Sequence, residues 1–167
     1  EPTVLSLAFV FLLVGYGTKV GLAPLHSWLP DAHAEGPTPV SAVLSGLLLN
    51  VALYAVMRSK VLVDGALEND MASNLMMGFG LLSVVLAAFL IKRQTDVKRM
   101  FAYSSIEHMG LITFAFGMGG PVANFAALLH MTMHSLTKSA IFFAVGHATQ
   151  KAGTQLMGDI SGLIKTN

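Results

Sequence analysis

Three side chains in one apolar stretch have the types and spacing to move protons. Residues 121–146, PVANFAALLHMTMHSLTKSAIFFAVG, are long and apolar enough to cross a bilayer, yet carry His130, His134 and Lys138. An α-helix turns 100° per residue, so positions four apart drift by only ~40° and rise by ~6 Å. The three side chains therefore form a slanting column on one face, with His130 and Lys138 roughly 12 Å apart along the axis. A cation near a bilayer centre costs at least ~2.5–3.5 kcal/mol on insertion scales, so such groups are rare and face protein or water. Two other places add to the column: the neighbours Glu107 and His108, and Lys19 just before Gly21 and Pro24. Lys, His and Glu relay protons when burial and neighbouring charges move their pKa values toward neutrality. One such residue alone is more simply a hydrogen-bonding fastener of a helix bundle; a series points to a relay.

Other chemistries fit less well. His130 and His134 have a spacing that can bind zinc, but Met131 stands where the metalloprotease motif needs Glu, and a third ligand is missing. No nucleophile stands with a base and an orienting group in a recognisable order. Gly15, Gly17 and Gly21 sit in an apolar span and open no βαβ unit, so they are no phosphate loop. With no cysteine among the residues, disulfides, Fe–S clusters and thiolate metal sites are excluded. The ten methionines are then packing or lipid-facing residues rather than a soft-metal path. We expect no cofactor and no metal. A net charge of +1 leaves nothing to neutralise a run of phosphates, so no nucleic-acid partner is expected.

The elements that must position these groups follow from composition. The chain is 54% hydrophobic and 11% charged, against about 25% charged in ordinary soluble domains, which points to a membrane protein. An apolar segment over 4–22 should break near Gly21 to Pro24, because glycine loosens a helix and proline clashes one turn back. A half-helix over 25–34 follows, with His26, Trp28, Asp31 and His33; Trp28 suits an interfacial belt. Broken helices of this kind build ion sites in transporters. The plainer reading is that Lys19 ends a short span and snorkels to the interface.

Further spans are expected over 40–57, 75–91, 100–118 and 121–146. The second contains Ser41, Ser45 and Asn50 and ends at Arg58 and Lys60; the third has no charge and reads as structural. Asn50 would bond a neighbouring helix or order water. Lys92, Arg93, Lys98 and Arg99 form the densest basic cluster, so that loop is cytoplasmic by the positive-inside rule. Alternation then puts the loop around Glu68 outside, and the 30–37 connector and the end of the fifth span, with Lys151 and Lys165, inside. The expectation is an all-α polytopic membrane helix bundle with about five transmembrane segments, the first one broken. The start on Glu1-Pro2 and the connector-like 158–162 suggest an internal piece of a longer protein.

Three ordered motifs carry a family resemblance over nearly the whole chain. Lys19 followed by APLHSWLPDAHAEGPTPVSA, then DVKRMFAYSSIEHMG, then HMTMHSLTKSAIFF resemble the antiporter-like membrane subunits. That family spans proton-pumping NADH:quinone oxidoreductase (complex I), Mrp-type cation/proton antiporters and membrane-bound hydrogenases. The wording around Ser104-Ser105-Ile106-Glu107-His108 is most similar to its hydrogenase-4 component F branch, of the formate hydrogenlyase type.

The resemblance implies a bundle of about fourteen helices made of two inverted repeats, each with one broken helix. Residues 1–60 would close the first repeat and 72–167 would open the second. Lys19 matches the family's proton-storing lysine on the broken helix, and Lys138 with His130 and His134 matches the central lysine and histidines of the connecting path. A glutamate that pairs with the broken-helix lysine in the family, and the second broken helix, lie outside this sequence. Ser45 departs from the pattern where many members carry histidine, and Asn50 where some carry lysine. Either Ser45 and Asn50 orient water across that gap or the path runs through Glu107 and His108; both routes stay open.

The implied function is a proton-translocating multi-pass subunit in the cell inner (plasma) membrane, belonging to a redox-driven complex of hydrogenase type. It would hold no redox centre of its own. Its partners would be other membrane subunits, a peripheral redox arm and the lipid bilayer. A subunit of an Mrp-type Na⁺/H⁺ antiporter and a membrane anchor that pumps nothing are the alternatives.

Overall fold

The computed structural model describes residues 1–67 and 69–160. Glu68, Lys165 and the last part of the 158–162 connector lie outside the described residues. The first helix, α1 (Pro2–Val20), opens on a proline whose missing N–H costs nothing in a first turn. It buries Phe9, Leu13, Gly17 and Val20 along one stripe. Gly21 ends it at φ +81°, a left-handed conformation that glycine adopts without a Cβ penalty. The Gly21 N–H then reaches the Thr18 carbonyl at 3.1 Å and the Leu22 N–H reaches Gly17 at 2.9 Å, so the last carbonyls of α1 are satisfied.

The chain does not resume as a helix at residue 25. Residues 22–27 are turns, and α2 is Trp28–Glu35. Pro24 offers no N–H, and the N–H of Ala23 is taken at 2.8 Å by the Ser83 hydroxyl of α5 (Met71–Ile91). Trp28 folds back to donate its indole N–H to the Thr18 carbonyl at 2.7 Å. The freed backbone at the break thus finds protein partners, as a non-helical segment at membrane depth requires. Ser83→Ala should leave the buried Ala23 N–H unpaired, at a cost of ~1–3 kcal/mol. A clear fall in the Tm of the detergent-solubilised protein is the expected result; an unchanged Tm would rule out this role for Ser83.

Next come α3 (Thr38–Val43), a π-helical turn (Leu44–Leu48) and α4 (Leu49–Ala66), which together make one rod, Thr38–Ala66. The helix does not stop at Arg58 and Lys60. Lys60 pairs with Asp64 one turn on, which lets the rod carry a cation past that point, and only a short link separates it from α5. The last two helices are α6 (Val97–Met118), whose N-terminus is capped by Asp96 accepting from the Arg99 N–H at 2.9 Å, and α7 (Gly120–Ala152).

Backbones approach closely at small residues. A Cβ on Gly80 would lie 2.7 Å from the Gly110 carbonyl oxygen, and one on Gly110 would lie 2.8 Å from that of Gly80, so α5 and α6 meet backbone to backbone. On the other side α7 fits against the rod, with Gly146 under Thr38 and Gly46 against Ser139. The three connectors expected on one side of the bilayer gather at one end. Arg99 pairs with Asp31 at 2.8 Å, Lys98 donates to the Gly36 carbonyl at 3.1 Å, and Val97 and Met157 bond to Gln155 and Thr95.

Polarity is inverted relative to a soluble protein. Val122 is 81% exposed and Phe11 72%, while Lys138 is 3% and His33 0% exposed. Among the described residues three helices are long and apolar enough to cross a membrane: α1, the rod and α5. At 22 and 33 residues α6 and α7 are longer than α1 and α5, but they carry the charged and histidine side chains of the site.

Candidate functional site

Helical periodicity brings Lys138, Phe142, Gly146 and Thr149 to one buried face of α7, and that face packs on α6 and the rod. The facing surface of α6 offers Phe101, Ser104, Ser105 and His108, three and four residues apart. The Lys138 ammonium donates to the Ser104 hydroxyl at 2.7 Å and, more weakly, to the Phe101 carbonyl at 3.4 Å. It also sits 5.6 Å above the centre of the Phe101 ring, whose negative face favours a cation. Glu107 makes no ion pair among the described residues.

One turn further along α7 the histidines meet. His108 Nδ1 and His130 Nε2 lie 3.0 Å apart, so one ring donates to the other and their tautomers are tied. The His134 ring centre is 5.8 Å from that of His108, and both of its nitrogens are buried without a hydrogen-bond partner among the described residues. His108, His130, Met133, His134, Thr137 and Lys138 line a half-open cavity of about 130 Å³. At ~30 Å³ per molecule that is room for a few waters, and the lining supplies polar partners for them. The arrangement can pass a proton from imidazole to imidazole to amine. Because His108 and His130 turn toward each other, they do not converge on a common ion, and no group of three or more ligand-type side chains among the described residues could hold a metal.

Ser45 and Asn50 lie beside this cluster with most of their bonding capacity used. The Ser45 hydroxyl is 2.8 Å from that of Ser105, and the Asn50 amide donates to the Gly46 and Met131 carbonyls at 3.0 and 3.3 Å. Only the Asn50 side-chain oxygen is buried without a partner.

Four of the six expected path residues therefore come together: His108, His130, His134 and Lys138; Glu107 precedes His108 on α6 but does not line the cavity. Lys19 does not join them. It precedes Val20 of the buried stripe, a turn of 100° away, and so projects into an open groove of about 770 Å³ between α1 and the rod, beside Tyr16, Tyr54 and Arg58. Gly21 and Pro24 lie at the break itself. Sequence reasoning passed over Ser104, the acceptor for Lys138, and His33, which stacks on Phe142 with ring centres 4.6 Å apart. His33 carried one usable signal, a histidine on the half-helix next to the break; Ser104 carried none, since serines are ordinary in membrane helices.

Comparison with known proteins identifies the family and supports the fold. Residues 2–167 match the family model described as NADH:quinone oxidoreductase/Mrp antiporter, transmembrane. The chain is 60% identical over its full length to a hydrogenase-4 component F homolog of Methylacidiphilum infernorum, covering 35% of that protein. It is 34% identical over 98% of its length to NAD(P)H-quinone oxidoreductase chain 4 of Gloeobacter violaceus, covering 31% of it. Thus it spans about a third of the length of these curated relatives. Among solved structures it is similar to a chain of the archaeal membrane-bound sulfane sulfur reductase, with a TM-score of 0.80 and 30% identity over 97% of this chain and 33% of that one. It is also similar to a chain of the Mrp complex from Dietzia sp. DQ12-45-1b, with a TM-score of 0.84 and 30% identity over 94% of this chain and 17% of that one. The three sequence motifs, the broken first helix and these matches agree: the chain is part of a multi-pass membrane protein and belongs to the NADH:quinone oxidoreductase/Mrp antiporter transmembrane family.

Proposed function

We propose that this chain is the central part of a proton-translocating membrane subunit in a redox-driven complex of hydrogenase or formate hydrogenlyase type. The observation that carries the reading is the buried Lys138 bonded to Ser104 and followed, around one cavity, by His134, His130 and His108. An uncompensated set of this kind in an apolar bundle has a high cost, and proton relay is the chemistry that explains it. The 60% identity to a hydrogenase-4 component F homolog supports the hydrogenase assignment.

In this reading the chain crosses the inner membrane five times, with α1 and α2 as the broken first crossing. It forms the seam of an inverted-repeat bundle of about fourteen helices, with 1–60 closing one repeat and 72–167 opening the next. Lys19 would store protons in the first half, Gly21 and Pro24 keeping its helix broken. Other membrane subunits and a peripheral redox arm would supply the driving force, since the chain would carry no redox centre. The similarity to the Mrp complex favours a second reading, a subunit of a Na⁺/H⁺ antiporter.

Between the two routes left open by the sequence, the direct His108–His130 bond supports the one through Glu107 and His108. The hydroxyl of Ser45 is engaged by Ser105 instead. His108→Ala is therefore expected to slow gradient formation, while Ser45→Ala leaves it near wild type; the reverse ranking would move the path to Ser45 and Asn50. The function itself is tested with the full-length complex in sealed inverted vesicles, recording redox rate and pH gradient together for wild type and Lys138→Ala. Dependence of the gradient on Na⁺ would favour the antiporter reading. Full retention of the gradient in Lys138→Ala would leave a membrane anchor.

A further inference from the structure

His33 is the most completely buried titratable group of the described residues, at 0% exposure, and neither of its ring nitrogens has a hydrogen-bond partner among them. Leaving one buried polar atom unpaired costs about 1–3 kcal/mol, so a ring with two such atoms needs a reason. Its place in the fold supplies one. Lys138, Phe142 and Gly146 follow one another up the buried face of α7, each step rising ~6 Å. Lys138 is the inner end of that row, and Gly146 lies in the floor of a polar pocket of about 550 Å³ that opens where the three connectors gather. Thr38, Lys98, Thr149 and Gln155 also line this pocket. His33 lies flat on Phe142, the middle member, with an interplanar angle of 13°.

The half-helix bearing His33 is held from several sides. Ser41 donates to the His33 carbonyl at 3.1 Å, Gln155 to that of Ala34 at 3.3 Å and Lys98 to that of Gly36 at 3.1 Å, while Arg99 pairs with Asp31. An imidazole with no bond of its own is thus fixed in place by its backbone and by one aromatic face. The charged groups that act on it from the packed elements are Lys98 of α6 and Lys138 of α7, one toward the pocket and one toward the cluster.

From this placement we propose that His33 is the relay between the connector-end pocket and Lys138, so that protons reach or leave the lysine cluster on that side through its ring. Taking a proton at one nitrogen while releasing the one held at the other transfers a single proton and leaves the ring neutral; a tautomer exchange resets it. Water from the pocket is the partner on one side, and the Lys138 amine, directly or through water, on the other. The inference rests on the proton-translocation reading and adds a side and a gatekeeper to it.

The test uses the full-length protein in its parent complex, in sealed inverted vesicles, with Lys138→Ala run in parallel. His33→Phe keeps the stack on Phe142 and removes both nitrogens. It is expected to slow gradient formation on the order of a hundredfold or more, the usual worth of one positioned proton-transfer group, with assembly unchanged. His33→Gly should regain much of the lost rate when imidazole is added, and none with toluene, which a purely structural role would not produce. Wild-type gradient formation in His33→Phe, or failure of imidazole to rescue an assembled His33→Gly, overturns the proposal. If Lys138→Ala still abolishes the gradient in that case, only the role of His33 falls; if Lys138→Ala is also silent, the translocation reading falls with it.

Discussion

Lys138→Ala is expected to reduce proton translocation on the order of a hundredfold while the complex still assembles. Lys138 is 3% exposed, and its ammonium is held by the Ser104 hydroxyl and the Phe101 ring. Alanine removes the amine but opens space next to the existing cavity, so water rather than a titratable group must carry the charge across that level. A charge at bilayer depth costs at least ~2.5–3.5 kcal/mol, and each ~1.4 kcal/mol is a factor of ten in rate, which sets the expected size. Lys138→Arg tests the same point from the other side. Arginine keeps the charge but does not give up its proton, so it should retain assembly and still fail to translocate. The readout is the initial rate of pH-gradient formation per redox turnover; retention of half the wild-type ratio or more in both variants would remove Lys138 from the path.

The second large effect concerns packing. Gly80→Ala is expected to prevent stable assembly, although alanine is the better helix former by ~1 kcal/mol. The added Cβ would meet the Gly110 carbonyl oxygen and the Phe114 nitrogen at 2.7 Å and the Phe114 Cα at 3.0 Å. All three are backbone atoms, so no side chain can turn aside and the two helices must separate. Overpacking costs ~1–3 kcal/mol when side chains can yield, and this contact lies at or beyond the upper end. Gly78→Ala is the control. Nothing lies within 4 Å of its Cβ, so it should be neutral or slightly stabilising. The amount of assembled complex on native gels, with the Tm in detergent, distinguishes the two variants; equal behaviour would mean that α5 and α6 are less intimately packed than the structure has them.

Much of this protein is written locally in its residues. Periodicity sets His130, His134 and Lys138 on one face whatever lies opposite, because the geometry of a helix depends only on its own backbone. The break after α1 is equally local. Gly21 supplies the left-handed turn and Pro24 withholds an N–H, so the helix must end there in any surroundings. The limits of local reasoning appear at the same places. How long the turns at 22–27 run depended on Ser83, sixty residues away, and the continuation of α4 beyond Lys60 depended on an ion pair with Asp64.

Pairing across helices is the part that only the tertiary structure decided. The sequence offered Glu107 and His108 as neighbours in the series without naming a partner for either; packing gave His108 to His130. It presented Lys19 and Lys138 as equal members of one series, yet packing buried one and turned the other into a groove. The difference is a rotation of one residue relative to the buried stripe of α1, and that stripe is apolar nearly all round in sequence. It showed His33 only as a histidine on the half-helix, whose role comes from lying between a pocket floor and a lysine that belong to other helices. The physical reason is common to all three. In an apolar helix every face looks alike to the sequence, and which face is buried is settled by small residues such as Gly80, Gly110 and Gly146 that let particular backbones approach. Those residues determine contacts only in pairs, and the pairs exist only once the helices are side by side.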